Sequence, residues 1–498
     1  MTTSIASAKK SPLPAEMSDR FGPMLVKELR QGLRTKIFLT AFIGFQAILL
    51  IMVLAGFASQ SSGRDSGTFI NGTIWTVLSL MLLVITPLRG QFAIEKEIRM
   101  GTMELLQITN LDAWRIVRGK WGALMGEAML YLTAALPYFT LRYFLGGVNI
   151  LTDLWLLALM ALVSSALTAI VIGLSGFRSM LLRIGITLGI IFLVFWSISI
   201  VQMMRFSRSM GGGGGGFFSG SFLLHTALVI TLIVVGWCYL RLGARTIATQ
   251  AENHTSNVRL MTFAGLVILL VLDHLNGGGS EDAFAFFMLG LAIYSCGIFS
   301  AITDTSLQSS RIYSPFIRRK MTAVGRLLLY PGWGSGFFYV GLMSILMLFG
   351  TAMGEEPEIV IISVLCIFNF LMLPAAITRI LMRNRGTRIF NLATYITMMV
   401  ACAIGGVVLQ IAEAIITTGT PAITMIFPIS AMIGAGSGEE GLAIGLQCLG
   451  AFLSAGLLIV VASEDLRFTA KRERATREFL AKRKAEEDNK PPIGAELT

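Results

Sequence analysis

The chain has 498 residues, of which 54% are hydrophobic and only 14% are charged. A soluble protein of this length carries about 25% charged residues, so the composition excludes an ordinary soluble globular protein. The net charge of +11 would suit a nucleic-acid partner, but the basic residues flank long apolar runs instead of forming one stripe. That arrangement is an orientation signal of membrane proteins, and we expect no nucleic acid as a partner.

The apolar runs predict an all-α, polytopic integral membrane protein with about twelve transmembrane helices, each needing about 20 mainly apolar residues. All but four of the 40 Lys and Arg residues then lie on one side of the membrane. Lys and Arg in short loops stay cytoplasmic during insertion, so the asymmetry predicts that both termini are cytoplasmic. The predicted spans are 37–58, 69–88, 121–145, 151–175, 184–204, 222–240, 260–275, 284–303, 333–352, 359–382, 389–416 and 441–462.

Two segments precede the first span. Residues 1–17 are predicted to be a disordered N-terminal arm. Residues 18–36 have apolar side chains at helical spacing and basic side chains on the other face, which predicts an amphipathic helix lying in the membrane interface. The apolar face carries Met24, Leu25, Leu29 and Leu33, and the basic face carries Lys27, Arg30 and Arg34.

The most specific segment is the predicted cytoplasmic loop 89–120, between the second and third spans. The second span should continue as a charged helical end through Arg99, where Gly101 breaks it. Thr102 can cap a new short helix, with Glu104 near the positive end of that helix. The short helix would expose Leu105 and Leu106 below the membrane. From physics alone, such a helix between two rigid stalks either transmits force from a soluble partner or is an ordinary amphipathic linker.

The order of residues in this loop is similar to that of a known family. Glu95, then Gly101-Thr102-Met103-Glu104-Leu105-Leu106, then Ile116-Val117-Arg118-Gly119-Lys120 entering a helix resembles the membrane permease subunits of type-2 ATP-binding-cassette (ABC) exporters. Residues 23–34 resemble the N-terminal connecting helix of those subunits. The resemblance covers about residues 21–240.

The resemblance implies that Gly101 to Leu106 lies in or near a coupling helix that engages a separate cytoplasmic ATPase subunit. It also implies that Glu95 and Glu97 lie on the stalk and face that subunit. The residues assigned to coupling in this way are Glu95, Glu97, Gly101, Thr102, Glu104, Leu105, Leu106, Gly119 and Lys120, and those assigned to the connecting helix are Lys27, Glu28, Arg30 and Arg34.

The predicted domains are a six-helix permease unit at 37–240, a second six-helix unit at 241–463 with an outer re-entrant segment at 421–436, and a charged cytoplasmic tail at 464–498. The second unit has a wide loop in the equivalent place but lacks the Gly-Thr-x-Glu-Leu-Leu core. A degenerate 6+6 repeat would let one chain form the whole translocation unit. Without it, a homodimer or an accessory membrane subunit would be needed.

No phosphate-binding loop occurs in the sequence, because Gly119-Lys120 is followed by Trp121 and lacks the upstream glycine pattern. We therefore expect that the chain is not an enzyme and binds no cofactor, and that ATP and Mg belong to the partner subunit. The three His residues are isolated from one another, which argues against a metal site.

Two alternatives stay open. Glu127 and Glu413 lie within predicted spans, where an ionisable group often marks an ion or proton path. A 6+6 secondary transporter would need such groups, although snorkelling or pairing within the protein is the favoured explanation for these two. The other alternative is a membrane scaffold that transports nothing. A permease with short loops and no fused ATPase resembles bacterial systems, so we expect an inner-membrane protein of a bacterium.

Overall fold

We describe the fold from a computed structural model, which contains helices and no strand within the residues described. Those residues are 23–60, 66–101, 112–144, 150–177, 185, 189, 222–249, 252–276, 280–304, 309–318, 322–351, 357–383, 392–416 and 440–488. The predicted N-terminal arm 1–17, the re-entrant segment 421–436 and nearly all of the predicted span 184–204 lie outside them.

The chain forms two compact units, the first comprising Met1–Ile172 and Ile190–Ile198. Its second apolar helix is segmented, because a π-helical turn at Leu80–Ile85 and a 3-10 turn at Gly90–Phe92 interrupt the α-helical geometry. The α-helices are α1 (Pro23–Leu33), α2 (Lys36–Gln60), α3 (Ser66–Ser79), α4 (Thr86–Arg89), α5 (Glu95–Arg99), α6 (Ala113–Phe144) and α7 (Ile150–Ser175), whose last residues fall in the second unit.

Large apolar side chains from α2, α3 and α6 form the core of the first unit. Tyr131 of α6 is almost completely buried, and its ring lies edge-on to that of Phe45, with 5.5 Å between the centroids. Trp75 of α3 makes a similar contact with Phe139 of α6 at 5.2 Å. Such aromatic pairs stabilise a helix interface beyond the area that they bury.

The second unit comprises Gly173–Gly189 and Ser199–Thr498. Its core is formed by apolar side chains from helices that follow one another in the sequence, including the buried Tyr294, Tyr339 and Phe286. The helices are α8 (Phe222–Ile247), α9 (Thr255–Asn276), α10 (Ser280–Ile302), α11 (Ser310–Arg318), α12 (Ala323–Leu329), α13 (Trp333–Thr351), α14 (Pro357–Arg383), α15 (Leu392–Ile416) and α16 (Glu440–Asp488).

The last helix, α16, is much longer than a membrane is thick. It has 49 residues without a break. At ~1.5 Å per residue this is more than twice the ~30 Å hydrocarbon thickness of a bilayer. The predicted charged tail that begins at Glu464 is therefore the continuation of the last apolar helix.

The protein is a multi-pass membrane protein by the length and composition of its helices. In the part of the chain that the structure describes, ten segments are long and apolar enough to cross a membrane. They match ten of the predicted spans, and the span predicted at 260–275 is part of the longer helix Thr255–Asn276. The span predicted at 121–145 falls on α6, which is not among those ten segments. The total number of spans and the 6+6 repeat stay predictions.

By compactness, α8 belongs with the second unit. The division into two six-helix units at residue 240 stays a prediction.

Candidate functional site

The connecting helix α1 is packed tightly onto α6 because α6 presents glycines to it. A Cβ atom on Gly119 would lie 3.0 Å from Cγ of Met24, and one on Gly122 would lie 2.9 Å from Cδ1 of Leu25. Real side chains rarely approach so closely, so the two helices depend on glycine for their separation. The apolar face predicted for α1 is therefore the face that contacts α6.

Lys120 joins three segments of the chain in one ionic cluster. Its ammonium nitrogen Nζ lies 2.6 Å from Oε1 of Glu97 in α5 and 3.2 Å from Oε1 of Glu28 in α1. Lys120 is 6% exposed and Glu97 is 9% exposed. In such a poorly hydrated place, a charge is stable only with a partner, so one ammonium fixes both carboxylates and the helices that carry them.

Glu95 and Glu97 are turned inward. The resemblance implies that they face an external subunit, whereas Glu95 is only 4% exposed and its Oε1 accepts a hydrogen bond of 2.5 Å from Arg99. The inward placement follows from the position of Lys120, which draws Glu97 against α6. Both carboxylates thus pair with cations of this chain, and their role in coupling stays a prediction.

Gly101 ends the stalk as the sequence predicts. Its φ of 68° lies in the left-handed region, and its amide donates to the carbonyl of Ile98 across 3.3 Å. Only glycine adopts this conformation at little cost, and it commonly terminates helices. The predicted coupling residues Thr102, Glu104, Leu105 and Leu106 lie outside the described residues.

The next helix, α6, begins directly after Asp112. The carbonyl of Asp112 accepts the first two helical hydrogen bonds, from the amides of Arg115 and Ile116. Asp112 is thus in the N-cap position of α6, and the loop between Gly101 and Asp112 is bounded by two defined helix ends.

Glu127 is paired within the protein. Both of its carboxylate oxygens accept hydrogen bonds from the guanidinium of Arg89, one of them across 3.1 Å. Arg89 also lies over the ring of Phe38, 5.7 Å from its centroid, and Gly32 at the end of α1 contacts the Glu127 carboxylate. This second ion pair ties α4 to α6, seven residues after Lys120 in the sequence. Glu413 lies in α15, and its side chain is outside the described residues.

The basic residues predicted on one face of the connecting helix lie on its exposed side. Lys27, Arg30 and Arg34 are all exposed, whereas Met24 on the opposite face is buried. Glu28 is intermediate in exposure and is the one charged residue of α1 that reaches α6.

Sequence reasoning missed a second buried ionic cluster, which lies in the second unit and is centred on Asp304. Oδ2 of Asp304 accepts hydrogen bonds from Nη2 of Arg259 at 2.9 Å and from the amide of Gly332 at 3.1 Å. Oδ1 accepts from Nη1 of Arg245 at 3.3 Å and from Oγ1 of Thr255 at 3.0 Å. Arg259 and Asp304 are each 1% exposed.

This cluster, the Asp304 cluster, connects the ends of several helices. Arg245 belongs to α8, Arg259 to α9, and Gly332 directly precedes α13. Arg379 of α14 adds hydrogen bonds to the carbonyls of Ile302 and Asp304. The available signal in the sequence was a charged residue at the end of each of these apolar runs, but their order along the chain does not indicate that they meet.

His254 lies in the short connection between α8 and α9, beside this cluster. Its Nε2 lies 3.0 Å from a carboxylate oxygen of Glu252, and its Nδ1 lies 3.2 Å from Nη1 of Arg241. Burial lowers the pKa of His254, and the positive charges of Arg241 and Arg245 lower it further, against the opposing effect of Glu252. His254 is therefore held in its neutral form more strongly than an exposed histidine.

The far half of α16 packs on α11 and contacts α12. Oε1 of Glu473 lies 3.6 Å from Nε of Arg326 in α12, and Thr476 is buried. Tyr313 of α11 is completely buried, its ring meets that of Tyr330 edge-on, and burial raises its pKa to about 12. The part of the predicted tail 464–498 that lies in α16 thus contacts its own chain.

No protein-family model, no curated protein and no solved structure matches this chain. Within the described ranges, no group of three or more His, Cys, Asp or Glu side chains is arranged to hold a metal ion. What the geometry defines is a multi-pass helical membrane protein in which two ionic clusters tie helix ends together.

Proposed function

We propose that the chain is the membrane-spanning permease of an ATP-driven ABC export system and couples a separate nucleotide-binding subunit to substrate translocation. One observation carries the proposal. The segments that resemble the family, namely α1, the stalk α5 and the start of α6, are joined through Lys120, Glu28 and Glu97. A force from the ATPase on the loop can move α1, α5 and α6 together only if these helices are joined. The Lys120 cluster joins them.

In the proposed mechanism, closure of the partner ATPase pushes on the loop that follows Gly101. The displacement passes through the Glu97–Lys120 pair into α6 and through Glu28 into α1. The ATPase can change the membrane conformation only if it binds the two conformations with different affinity. ATP and Mg act in the partner subunit, since this chain lacks a phosphate-binding loop.

The proposed setting is the inner membrane of a bacterium. The lipid bilayer surrounds the apolar helices, and the cytoplasmic ABC ATPase docks at the loop that follows Gly101. If the two halves are not a 6+6 repeat, a homodimer or an accessory membrane subunit completes the pathway.

The state of Glu127 favours this function over a proton-coupled secondary transporter. A proton carrier needs an ionisable group that can change its charge, whereas the Glu127 carboxylate is held by Arg89 through both of its oxygens. We expect Glu127→Gln to lower stability. Loss of transport in that variant, in vesicles free of any ATPase, would instead support the secondary transporter.

Purification of the full-length chain from its native membranes tests the proposal. We expect a nucleotide-binding protein to accompany the chain and to hydrolyse ATP faster in the complex than alone. Lys120→Met should reduce this stimulation several-fold while membrane insertion stays normal. Arg118→Met, an exposed neighbour on the same helix, is the matched control. Purification of the intact chain without any nucleotide-binding protein would favour the scaffold alternative.

A further inference from the structure

The second apolar helix of the first unit contains a built-in discontinuity. At Leu80–Ile85 the backbone winds as a π-helix, and the amide of Thr86 bonds to the carbonyl of Met81, five residues back. A π-turn holds one residue more than an α-turn, and such turns often occur at functional positions. The next residue, Pro87, has no amide hydrogen, so the carbonyl of Leu82 lacks the donor that the wide turn would otherwise supply.

Side-chain hydroxyls satisfy the carbonyls at this break. Oγ of Ser164 in α7 donates to the carbonyl of Leu82 across 2.6 Å, and both residues are completely buried. Oγ1 of Thr86 donates to the carbonyl of Met81 across 2.9 Å. Because water is excluded from the interior of a membrane protein, a carbonyl without a donor there is costly. The hydroxyl of Ser164 thus stabilises the π-helical geometry at Leu80–Ile85.

The helix is held firmly on both sides of the break. On the side of the stalk, Arg89 is paired with Glu127, and Gly90 lies so close to α7 that a Cβ atom on it would be 3.0 Å from Cγ1 of Ile172. On the other side, Ile74 and Leu78 are completely buried in the core. Between Leu78 and Arg89, relative motion of the two parts is therefore confined to the π-turn.

We propose that Leu80–Ile85 is a hinge and that Ser164 is the positioning residue that holds it in the observed state. Conversion of the π-turn into an α-turn would remove one residue from it, which rotates one part of the helix against the other by ~100° and shifts it by ~1.5 Å. In that conversion, the carbonyl of Leu82 loses the hydrogen bond that the Ser164 hydroxyl donates to it. The hinge would let the stalk and the start of α6, which Glu97 and Lys120 join, move relative to α3.

This inference deepens the proposed function only in naming what the ATPase would move. The hinge itself can be measured in the isolated chain. Spin labels at the exposed positions Thr76 and Arg118 would report the distance between the part of the helix before the break and the start of α6. The accessible Cys402 and Cys448 are replaced by Ser beforehand, and the distance distribution is recorded by double electron–electron resonance in lipid nanodiscs.

We expect Ser164→Ala to add a second distance population displaced by about 5 Å or more, because a ~100° rotation carries a surface label around the helix axis. Thr168→Val is the matched control. Thr168 is equally buried on α7, but its hydroxyl donates to the carbonyl of Ser164 within the same helix. An unchanged distribution in the Ser164 variant, or the same change in the Thr168 variant, would overturn the hinge.

A second pair of variants tests the chemistry of the break. Pro87→Ala supplies a backbone amide, so Ser164→Ala should have no further effect in that background. An equal effect of Ser164→Ala with and without Pro87 would show that the hydroxyl does not act through the freed carbonyl. These outcomes do not depend on any partner. A chain that shows the hinge but never binds an ATPase would refute the proposed function and leave the hinge standing.

Discussion

The ammonium of Lys120 lies 2.6 Å from the carboxylate of Glu97, across the loop that the sequence identifies as the most informative segment. The pair closes the base of that loop, so any force on the loop reaches both flanking helices. Glu28, 3.2 Å from the same ammonium, adds the connecting helix to this body.

Removal of the Lys120 charge should be strongly destabilising. Lys120→Met leaves two poorly hydrated carboxylates without their cation, and we expect a loss of about 2–4 kcal/mol in unfolding free energy. Thermal unfolding of the detergent-solubilised chain checks this, with the exposed Arg118→Met as control. The double variant Glu97→Gln/Lys120→Met should recover part of the loss. A double variant no more stable than Lys120→Met would show that the Glu97 carboxylate does not depend on Lys120.

A methyl group on Gly119 should loosen the connecting helix. Gly119→Ala places Cβ 3.0 Å from the Met24 side chain and 3.3 Å from the backbone nitrogen of Leu25, which must move. We expect a loss of about 1–3 kcal/mol, as for other overpacked interfaces. Faster limited proteolysis between α1 and α2 would report the same effect.

Gly44→Ala is the control for that substitution, because a Cβ atom on Gly44 of α2 would meet nothing within 4 Å. Alanine favours a helix over glycine by about 1 kcal/mol. The control should therefore be neutral or stabilising, and equal losses in both variants would contradict the close approach at Gly119.

Loss of the Asp304 carboxylate should cost more than loss of a surface carboxylate. Asp304→Ala leaves the buried guanidinium of Arg259 and the side chain of Arg245 without this anion, and breaking such a buried pair costs about 3–5 kcal/mol. Asp112→Ala breaks an exposed ion pair of 3.8 Å with Arg115 and should cost less than about 1 kcal/mol for that pair. Calorimetric unfolding should show a larger loss of stability for Asp304→Ala than for Asp112→Ala. Equal losses of stability would disprove the central place of Asp304.

The depressed pKa of His254 predicts a pH effect with a definite sign. In the unfolded chain this group takes up a proton near pH 6.5, whereas the folded protein, with its lowered pKa, does so only at lower pH. The unfolded state then binds more protons, so stability falls as pH falls through about 6.5 toward the folded pKa. Unfolding temperatures between pH 8 and pH 5 should show a steeper decline for the wild type than for His254→Gln. Parallel curves would be inconsistent with a buried neutral histidine.

The helices were largely predictable because each rests on a local property. Runs of about 20 apolar residues predict membrane spans wherever they occur, and ten of the predicted spans match helices of sufficient length and apolar character. The break at Gly101 was equally local, since glycine at the end of a helix has one usual conformation. The sequence also indicated which face of α1 is apolar, as the burial of Met24 and the exposure of Lys27 agree with it.

The ionic clusters were not predictable, because they depend on residues that are distant in the sequence. Lys120 was noticed as part of a motif, but nothing in the spacing indicates that Glu28 and Glu97 share it. Asp304 and Arg259 looked like ordinary charges at span ends, where basic residues usually mark orientation. The π-turn before Pro87 was also missed, because Ser164, which completes its hydrogen bonding, lies on another helix.

A photo-crosslinking amino acid at Glu104, introduced into the full-length chain in its native cells, tests the central claim most directly. A second copy of the experiment places the same group at the exposed Phe479 on α16 as a control for general cytoplasmic contacts. The proposed function predicts that the Glu104 position forms a covalent adduct with a nucleotide-binding protein and that the Phe479 position does not. Adducts from Glu104 only within its own chain would contradict the proposal.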